Sequence, residues 1–482
     1  MRLVAAVALV LLGRSAAAQG DSASPRPSPG PTPAVRIPRV QMRQLHNGLR
    51  VAVLENHDFP VIDVSALVIA GPLLDPPGKE GVSALTSQML AEGTASRSAE
   101  AIAKAEADLG TSVGATGFFT IPAYFESAIT LMTDQLLHPA FPQGALDRIK
   151  ANAITRLQRL KDQPTYLAGR VLATELYGAH HPYARRESET SIAAITRADL
   201  VAFHADYYRP GNLMFIVAGD ITPDRAVNAL ETAVGSLTVG GKDGWVTPVL
   251  PKAAGPTAIF LYDRPTSPQS VIIAGELGPP RNSKDYYELE LLNTVLGGAF
   301  NSRLNLSLRE VHGYTYGAAS GFEYRRVPQP STFEAETEVS TPTTDSSVTD
   351  IVAEIRAIRS TRPVTDSELA FAKRTQTLSL PLQFATVPEA ADAAATLLAY
   401  HLPLDYYQHL TENFERVTLA DVHAAADRYL HPDHLTIVVV GDRRAISAGL
   451  AAAHVAPVVE VPTLGQARSG EAVTGAKKGA GG

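Results

Sequence analysis

Residues 208–220 read YRPGNLMFIVAGD, and residues 430–442 read LHPDHLTIVVVGD. Both place a proline ten residues ahead of an aspartate, with an apolar run of strand length between. A helix-like stretch precedes each copy, RADLVAFHADY at 197–207 and LADVHAAADRY at 419–429. The copies lie 222 residues apart, Pro210 to Pro432. Solenoid units recur every ~20–50 residues, so this repeat is one of duplicated domains.

Working outward, the starts of the two copies also match. Residues 48–70 predict a strand, the loop NHDFP and the strand VIDVSALVIA; residues 257–274 give TAIFLYD, RPTSP and QSVIIA. Each copy opens with two strands, closes with a helix and a strand, and holds helical stretches between, among them 98–109 and 126–137 in the first copy. That segregation favours an α+β class over alternating Rossmann units. The Gly- and Pro-rich stretch near 240–256 breaks every periodicity and predicts a linker at 241–256, between domains at 40–240 and 257–450.

Both ends differ in composition from this body. Residues 1–18 carry Arg2, an apolar core and Ala16-Ala17-Ala18, the pattern of a cleaved secretory signal. That core is too short to span a bilayer as a helix. A proline-rich arm at 19–39 and a Gly-, Ala- and Lys-rich tail at 451–482 are expected to be flexible. Among 482 residues, 42 are basic and 49 acidic, a net charge of −7 with no basic excess for nucleic acid. Cysteine is absent, which excludes disulfides, thiolate nucleophiles and Cys-ligated zinc. An exported, soluble protein of the periplasm is the expectation, with no stable membrane insertion.

The clearest helical spacing spans 283–309, where Leu296, Phe300, Leu304 and Leu308 recur every fourth residue and predict one buried stripe. Gly297 and Gly298 interrupt it, pointing to a helix break or a close backbone approach.

Four blocks carry a resemblance: NGLRVAVLENHDFP at 47–60, HPYARRE at 181–187, YYRPGNLMFIVAGD at 207–220, and NTVLGGAFNSRLNLSLREVHGYTYG at 293–317. On these the chain resembles the insulinase-like, or pitrilysin-type, zinc peptidases of the M16 peptidase family, in the short branch similar to mitochondrial processing peptidases. The resemblance runs from Leu45 to Arg443. It implies two homologous α/β-sandwich domains of the metalloprotease-like fold, half of a clamshell chamber completed by a second chain or half.

The family's zinc motif is His-x-x-Glu-His on a helix, where two histidines one turn apart face the metal and the glutamate activates water. The matching segment here is GVSALTSQML at 81–90. Ala84 and Gln88 stand at the ligand positions and Ser87 at the base. The third ligand, a glutamate upstream of an Asp-x-Pro, falls on Arg156, to within a residue, before Asp162-Gln163-Pro164. A guanidinium has no lone pair for zinc, and its charge opposes a nearby cation. The thirteen histidines, His431 and His434 included, supply no replacement pair. The expectation is no metal and no cofactor in this chain, with Zn2+ in a homologous partner that carries His-x-x-Glu-His.

A second piece of the family pattern is present. In active relatives an arginine and a tyrosine seven residues apart bind the substrate carbonyl across the chamber, and the match is Arg309 and Tyr316 in LREVHGYTY. On the residues alone, Arg309 also reads as a charged helix end and Tyr316 as an amphipathic strand residue. Tyr314 is a competing aromatic, and Tyr316 is preferred through the family register. Arg185 and Arg186 read as a solvated loop that could attract acidic peptides. The resemblance implies a non-catalytic subunit of a heteromeric periplasmic zinc metallopeptidase acting on peptides or unfolded polypeptide, inert alone and lending Arg309 and Tyr316 in trans. The alternative is a structural or peptide-binding scaffold with no part in catalysis.

Overall fold

The computed structural model describes residues 37–246, 255–326 and 328–462. The expected leader at 1–18, the expected arm up to residue 36, residues 247–254 of the expected linker, residue 327 and residues 463–482 lie outside the described residues.

Among the described residues, twelve strands form two six-stranded sheets. The first contains β1 (Gln41–Gln44), β2 (Arg50–Glu55), β3 (Ile62–Val68), β4 (Val113–Gly114), β5 (Gly117–Thr120) and β6 (Leu213–Gly219), in the order β1-β2-β6-β3-β5-β4. The second contains β7 (Ala258–Asp263), β8 (Gln269–Gly278), β9 (Thr315–Glu323), β10 (Ser331–Ser340), β11 (Thr436–Gly441) and β12 (Val458–Val461), in the order β12-β7-β11-β8-β10-β9. The strands of the 208–220 and 430–442 repeats, β6 and β11, take the same place. Each runs parallel to the first strand of its opening pair and antiparallel to the second.

The preceding helices, Arg197–Tyr207 and Leu419–Tyr429, start from the same device. Thr196 with Asp199, and Thr418 with Asp421, each form a reciprocal capping box. Each box satisfies two amide donors that a helix start leaves without partners. A local sequence of four residues thus fixes where each helix begins and how it leads into its strand.

Two expectations need correction. The tail from 451 is not wholly flexible: the helix Arg443–Ala452 continues into it, and β12 pairs in parallel with β7. Val458 and Val461 are half-buried on opposite faces of this edge strand, Val458 against the larger core of the second sheet and Val461 against the cluster on its other face. The stripe at 283–309 also fails at one position. Leu296, Leu304 and Leu308 are buried, whereas Phe300 is 66% exposed. The helix Tyr286–Asn293 passes into a π-helical turn, Thr294–Gly298, and the chain becomes extended at Ala299. The register is lost there, and a second π-helical turn, Leu306–Val311, follows.

The break has a packing cause. A methyl group on Gly297 would collide with the hydroxyl and backbone nitrogen of Ser320 on β9. Ser320 Oγ donates to Asn293 Oδ1 at 2.7 Å, and the Ala318 amide donates to Asn305 Oδ1 at 3.1 Å. These contacts pin β9 against the interrupted helix.

The two sheets exchange helices. The helix Pro164–Tyr177 lays Leu167, Val171 and Leu172 against Val271, Ile273, Val438 and Val440 of the second sheet. Reciprocally, the helix Val387–Ala399 lays Val387, Ala390, Ala391 and Ala394 against Ala52, Leu54, Met214 and Ile216 of the first. Opposite faces of both sheets carry the larger cores. Strands buried on both faces read as continuous apolar runs, as LMFIVAG does.

Candidate functional site

The helix Val82–Met89 carries the positions of the zinc motif. Val82, Leu85, Thr86 and Met89 face the core, Ala84 is half-buried, and Ser87 and Gln88 are exposed. The helix start is held by Asp75, a buried carboxylate that accepts from Gly81 N at 2.7 Å and Ser83 N at 2.9 Å. Burial raises the Asp75 carboxyl above its ordinary value, and those hydrogen bonds oppose the rise.

Arg156 lies on the helix Gln143–Leu160, which packs beside this one. Its Nη2 pairs with Glu187 Oε2 at 2.8 Å. The site therefore has an internal ion pair where a cation would need converging lone pairs. Alanine offers no donor atom, and the serine hydroxyl and glutamine amide are weak ligands beside a fixed positive charge. These residues do not fit zinc. Among the described residues no group of three or more His, Asp or Glu side chains could hold a metal ion. His431 is occupied by Glu276, Nδ1 to Oε2 at 2.7 Å.

The second constellation sits on the π-helical turn and β9. Gly313, at φ +66°, ends the turn, and the Tyr314 amide reaches back to Leu308 O at 2.8 Å. A left-handed residue at this place is what glycine supplies without strain. Tyr314 precedes the strand, packs half-buried against the second core and stacks on His312 with ring centroids 4.9 Å apart. Tyr316 lies within the strand and is 92% exposed. The two tyrosines thus differ in environment because the strand starts between them.

Tyr316 borders a cavity of about 400 Å³ that Thr165, Gln269, Glu336 and Glu338 also line. Its hydroxyl has no hydrogen-bond partner among the described residues. Arg309 is half-buried, with its guanidinium carbon 4.7 Å from the Phe300 ring centroid and Nε 3.5 Å from Glu310 Oε1. The exposed Phe300 therefore serves as a platform for Arg309. Arg309 does not line the Tyr316 cavity.

Arg185 of the HPYARRE loop is less solvated than its sequence suggests, whereas Arg186 is exposed. Arg185 keeps only 17% of its side chain exposed, with Nη1 3.6 Å from Glu80 Oε1. Arg186 donates to Tyr183 O at 2.7 Å and enters a cavity that Arg170 and Arg325 share. Arg170 and Arg325 gave no signal in sequence, because their segments meet only through the helix exchange.

Comparison with known proteins finds likenesses to one family. The family model described as the peptidase M16 inactive domain matches residues 194–376. The chain is 24% identical over 411 residues to the non-peptidase homolog YmxG of Helicobacter pylori, covering 83% of this chain and 93% of that protein. It is 22% identical over 429 residues to the mitochondrial-processing peptidase subunit beta of Blastocladiella emersonii, covering 84% and 90%. The crystal structure of a peptidase M16 inactive domain from Pseudomonas fluorescens matches with a TM-score of 0.76 at 28% identity, covering 83% of this chain and 98% of that one.

Proposed function

We propose that this chain is a metal-less member of the M16 peptidase family, whose inactive-domain model matches residues 194–376, and that it is the non-catalytic subunit of a heteromeric peptidase. The reading takes 40–240 and 257–450 as two homologous domains forming half of a clamshell chamber. A homologous partner with His-x-x-Glu-His completes the chamber. The partner's Zn2+ supplies the Lewis acid and the activated water; this chain supplies binding and orientation.

Tyr316 donates its hydroxyl to the carbonyl oxygen of the peptide, and Arg309 adds positive charge on the same side. Donors of this kind are worth several kcal/mol only in a dry, ordered site, which closure against the partner provides. β9 is the outer strand of its sheet, so an extended peptide has backbone groups there to pair with. Substrates are peptides or unfolded segments, because a closed chamber excludes folded domains. The leader-like sequence at 1–18 supports a periplasmic setting. No helix among the described residues is long and apolar enough to cross a membrane.

The observation that carries this reading is Tyr316. A tyrosine 92% exposed on an ordered strand, its hydroxyl unpartnered, contributes little to the fold of its own chain. The test is a tagged pull-down from the native periplasm, with peptidase activity assayed before and after zinc chelation. A His-x-x-Glu-His chain of similar size should co-purify with chelator-sensitive activity. In the reconstituted heteromer, Arg309→Ala and Tyr316→Ala should each lower turnover by about ten- to a thousand-fold at unchanged zinc content. A stable homodimer that binds peptide without zinc would instead support the scaffold reading.

A further inference from the structure

Three arginines from separate segments meet at one cavity of about 230 Å³ between the helix Pro164–Tyr177 and the second sheet. Arg170 lies on the helix, Arg186 on the loop after it and Arg325 just beyond β9. None of the three forms an ion pair with a carboxylate among the described residues. Arg170 Nη1 donates to Tyr166 Oη at 3.2 Å, Arg186 Nη1 to Tyr183 O at 2.7 Å, and Arg325 Nε to Tyr177 Oη at 3.2 Å. The Arg325 guanidinium also covers the Tyr183 ring at 4.3 Å. Each guanidinium carries five N–H donors, so these contacts leave donors over.

Charge in the cavity is unbalanced. Among the described residues, Glu334 on β10 is the only carboxylate lining it. Burial, with Glu323 and Glu336 nearby, raises that carboxyl to about 7 against the pull of Arg325. Near neutral pH it therefore offsets only about half of one positive charge. Loss of water, then repulsion from Arg325 and Arg170, lowers the basicity of Arg186. Three like charges held together without an anion are costly, and a bound anion would relieve that cost.

The neighbouring cavity identifies the anion's carrier. Thr165 lines both the arginine cavity and the one beside Tyr316. β10 runs along both, presenting Glu336 and Glu338 near Tyr316 and Glu334 near the arginines. The Tyr316 cavity is lined by acidic side chains, and the cavity beside it by basic ones. At ~3.3 Å per residue, Glu334 and Glu338 lie about 13 Å apart along the strand, or about four residues of extended peptide.

We propose that the Arg170–Arg186–Arg325 cavity is a subsite for a carboxylate of the bound peptide, about four residues from the carbonyl that Tyr316 contacts. A planar carboxylate accepts two parallel N–H bonds from a guanidinium, and the exposed Arg186 leaves the subsite open to solvent. The carboxylate comes from the peptide's C-terminus or from an Asp or Glu side chain. This rests on reading the Tyr316 face as the peptide face.

The test measures peptide binding to the full isolated chain, without any partner. Three labelled hexapeptides of one neutral sequence are compared: one with a free C-terminus, one C-terminally amidated, and one amidated with a glutamate as its last residue. At least one carboxylate-bearing peptide should bind about tenfold more tightly than the neutral amide, and which one does so identifies the source. The preference should fall as salt rises. Arg186→Gln and, separately, Arg325→Gln should abolish it, with the thermal transition recorded for each; Arg186, the more exposed, is the variant least able to disturb folding. Equal binding of all three peptides, no binding of any, or a preference that survives Arg186→Gln in a folded chain would overturn the proposal. Because no partner is present, loss of the preference and loss of partner-dependent turnover are separate results.

Discussion

Arg156 sets the electrostatics of the face that the resemblance aligns with a zinc motif. A guanidinium there opposes any divalent cation, and its pairing with Glu187 occupies the nearest carboxylate. The pair is partly exposed, so it adds at most about 1 kcal/mol, and Arg156→Ala should change the free energy of denaturant unfolding by less than that. A larger loss would mean that the pair holds the 185–187 loop in place. Changing Ala84 to His, Ser87 to Glu, Gln88 to His and Arg156 to Glu together should yield about one Zn2+ per chain after dialysis, since positions 84 and 88 share a helix face. A metal-free fourfold variant would show that the scaffold has diverged along with the ligands. Positions 84, 87 and 88 were placed on one helix in sequence because a local register locates them, as the helix Val82–Met89 shows. The arginine cavity was not, because residues 170, 186 and 325 converge only in three dimensions, and no spacing rule links them.

At the scale of elements, the interrupted helix governs how Tyr316 is presented. Gly297 lets β9 approach, and Asn293 and Asn305 hold it there. Gly297→Val should cost about 1–3 kcal/mol on denaturant unfolding and reduce heteromer turnover through displacement of β9; an unchanged stability would mean that the helix shifts freely. The two glycines showed in sequence that something breaks here. The fourfold spacing still misassigned Phe300, because periodicity assumes one unbroken helix. The helix Val387–Ala399 brings Asp392 near Asp63 on β3, and burial followed by that neighbour raises the Asp63 carboxyl to about 6. The native state then holds a proton that the unfolded chain releases, so stability falls as pH rises from about 4 to about 6 and stays low above that. Asp63→Asn should therefore raise stability at pH 8 by on the order of 1–2 kcal/mol, with the gain shrinking toward pH 4. A gain independent of pH would remove Asp63 from the account.

At the scale of the molecule, the duplication and the helix exchange act together. The repeat was legible because capping box, helix, proline and strand are local signals, and both copies kept them. The exchange was not, because Pro164–Tyr177 and Val387–Ala399 read as ordinary amphipathic helices whose partner sheet no local pattern names. Each half leaves one sheet face uncovered without the other, exposing Ala52, Leu54, Met214 and Ile216 in the first. Residues 37–246 expressed alone should aggregate or bind hydrophobic dyes, and the whole chain should unfold in one calorimetric transition. A soluble, monomeric first half would contradict this. The account as a whole is tested most directly by Tyr316→Phe, which removes one hydroxyl and keeps the ring. In the reconstituted heteromer the account predicts a turnover at least about tenfold lower, with zinc content and subunit affinity unchanged; a variant with full turnover would contradict it.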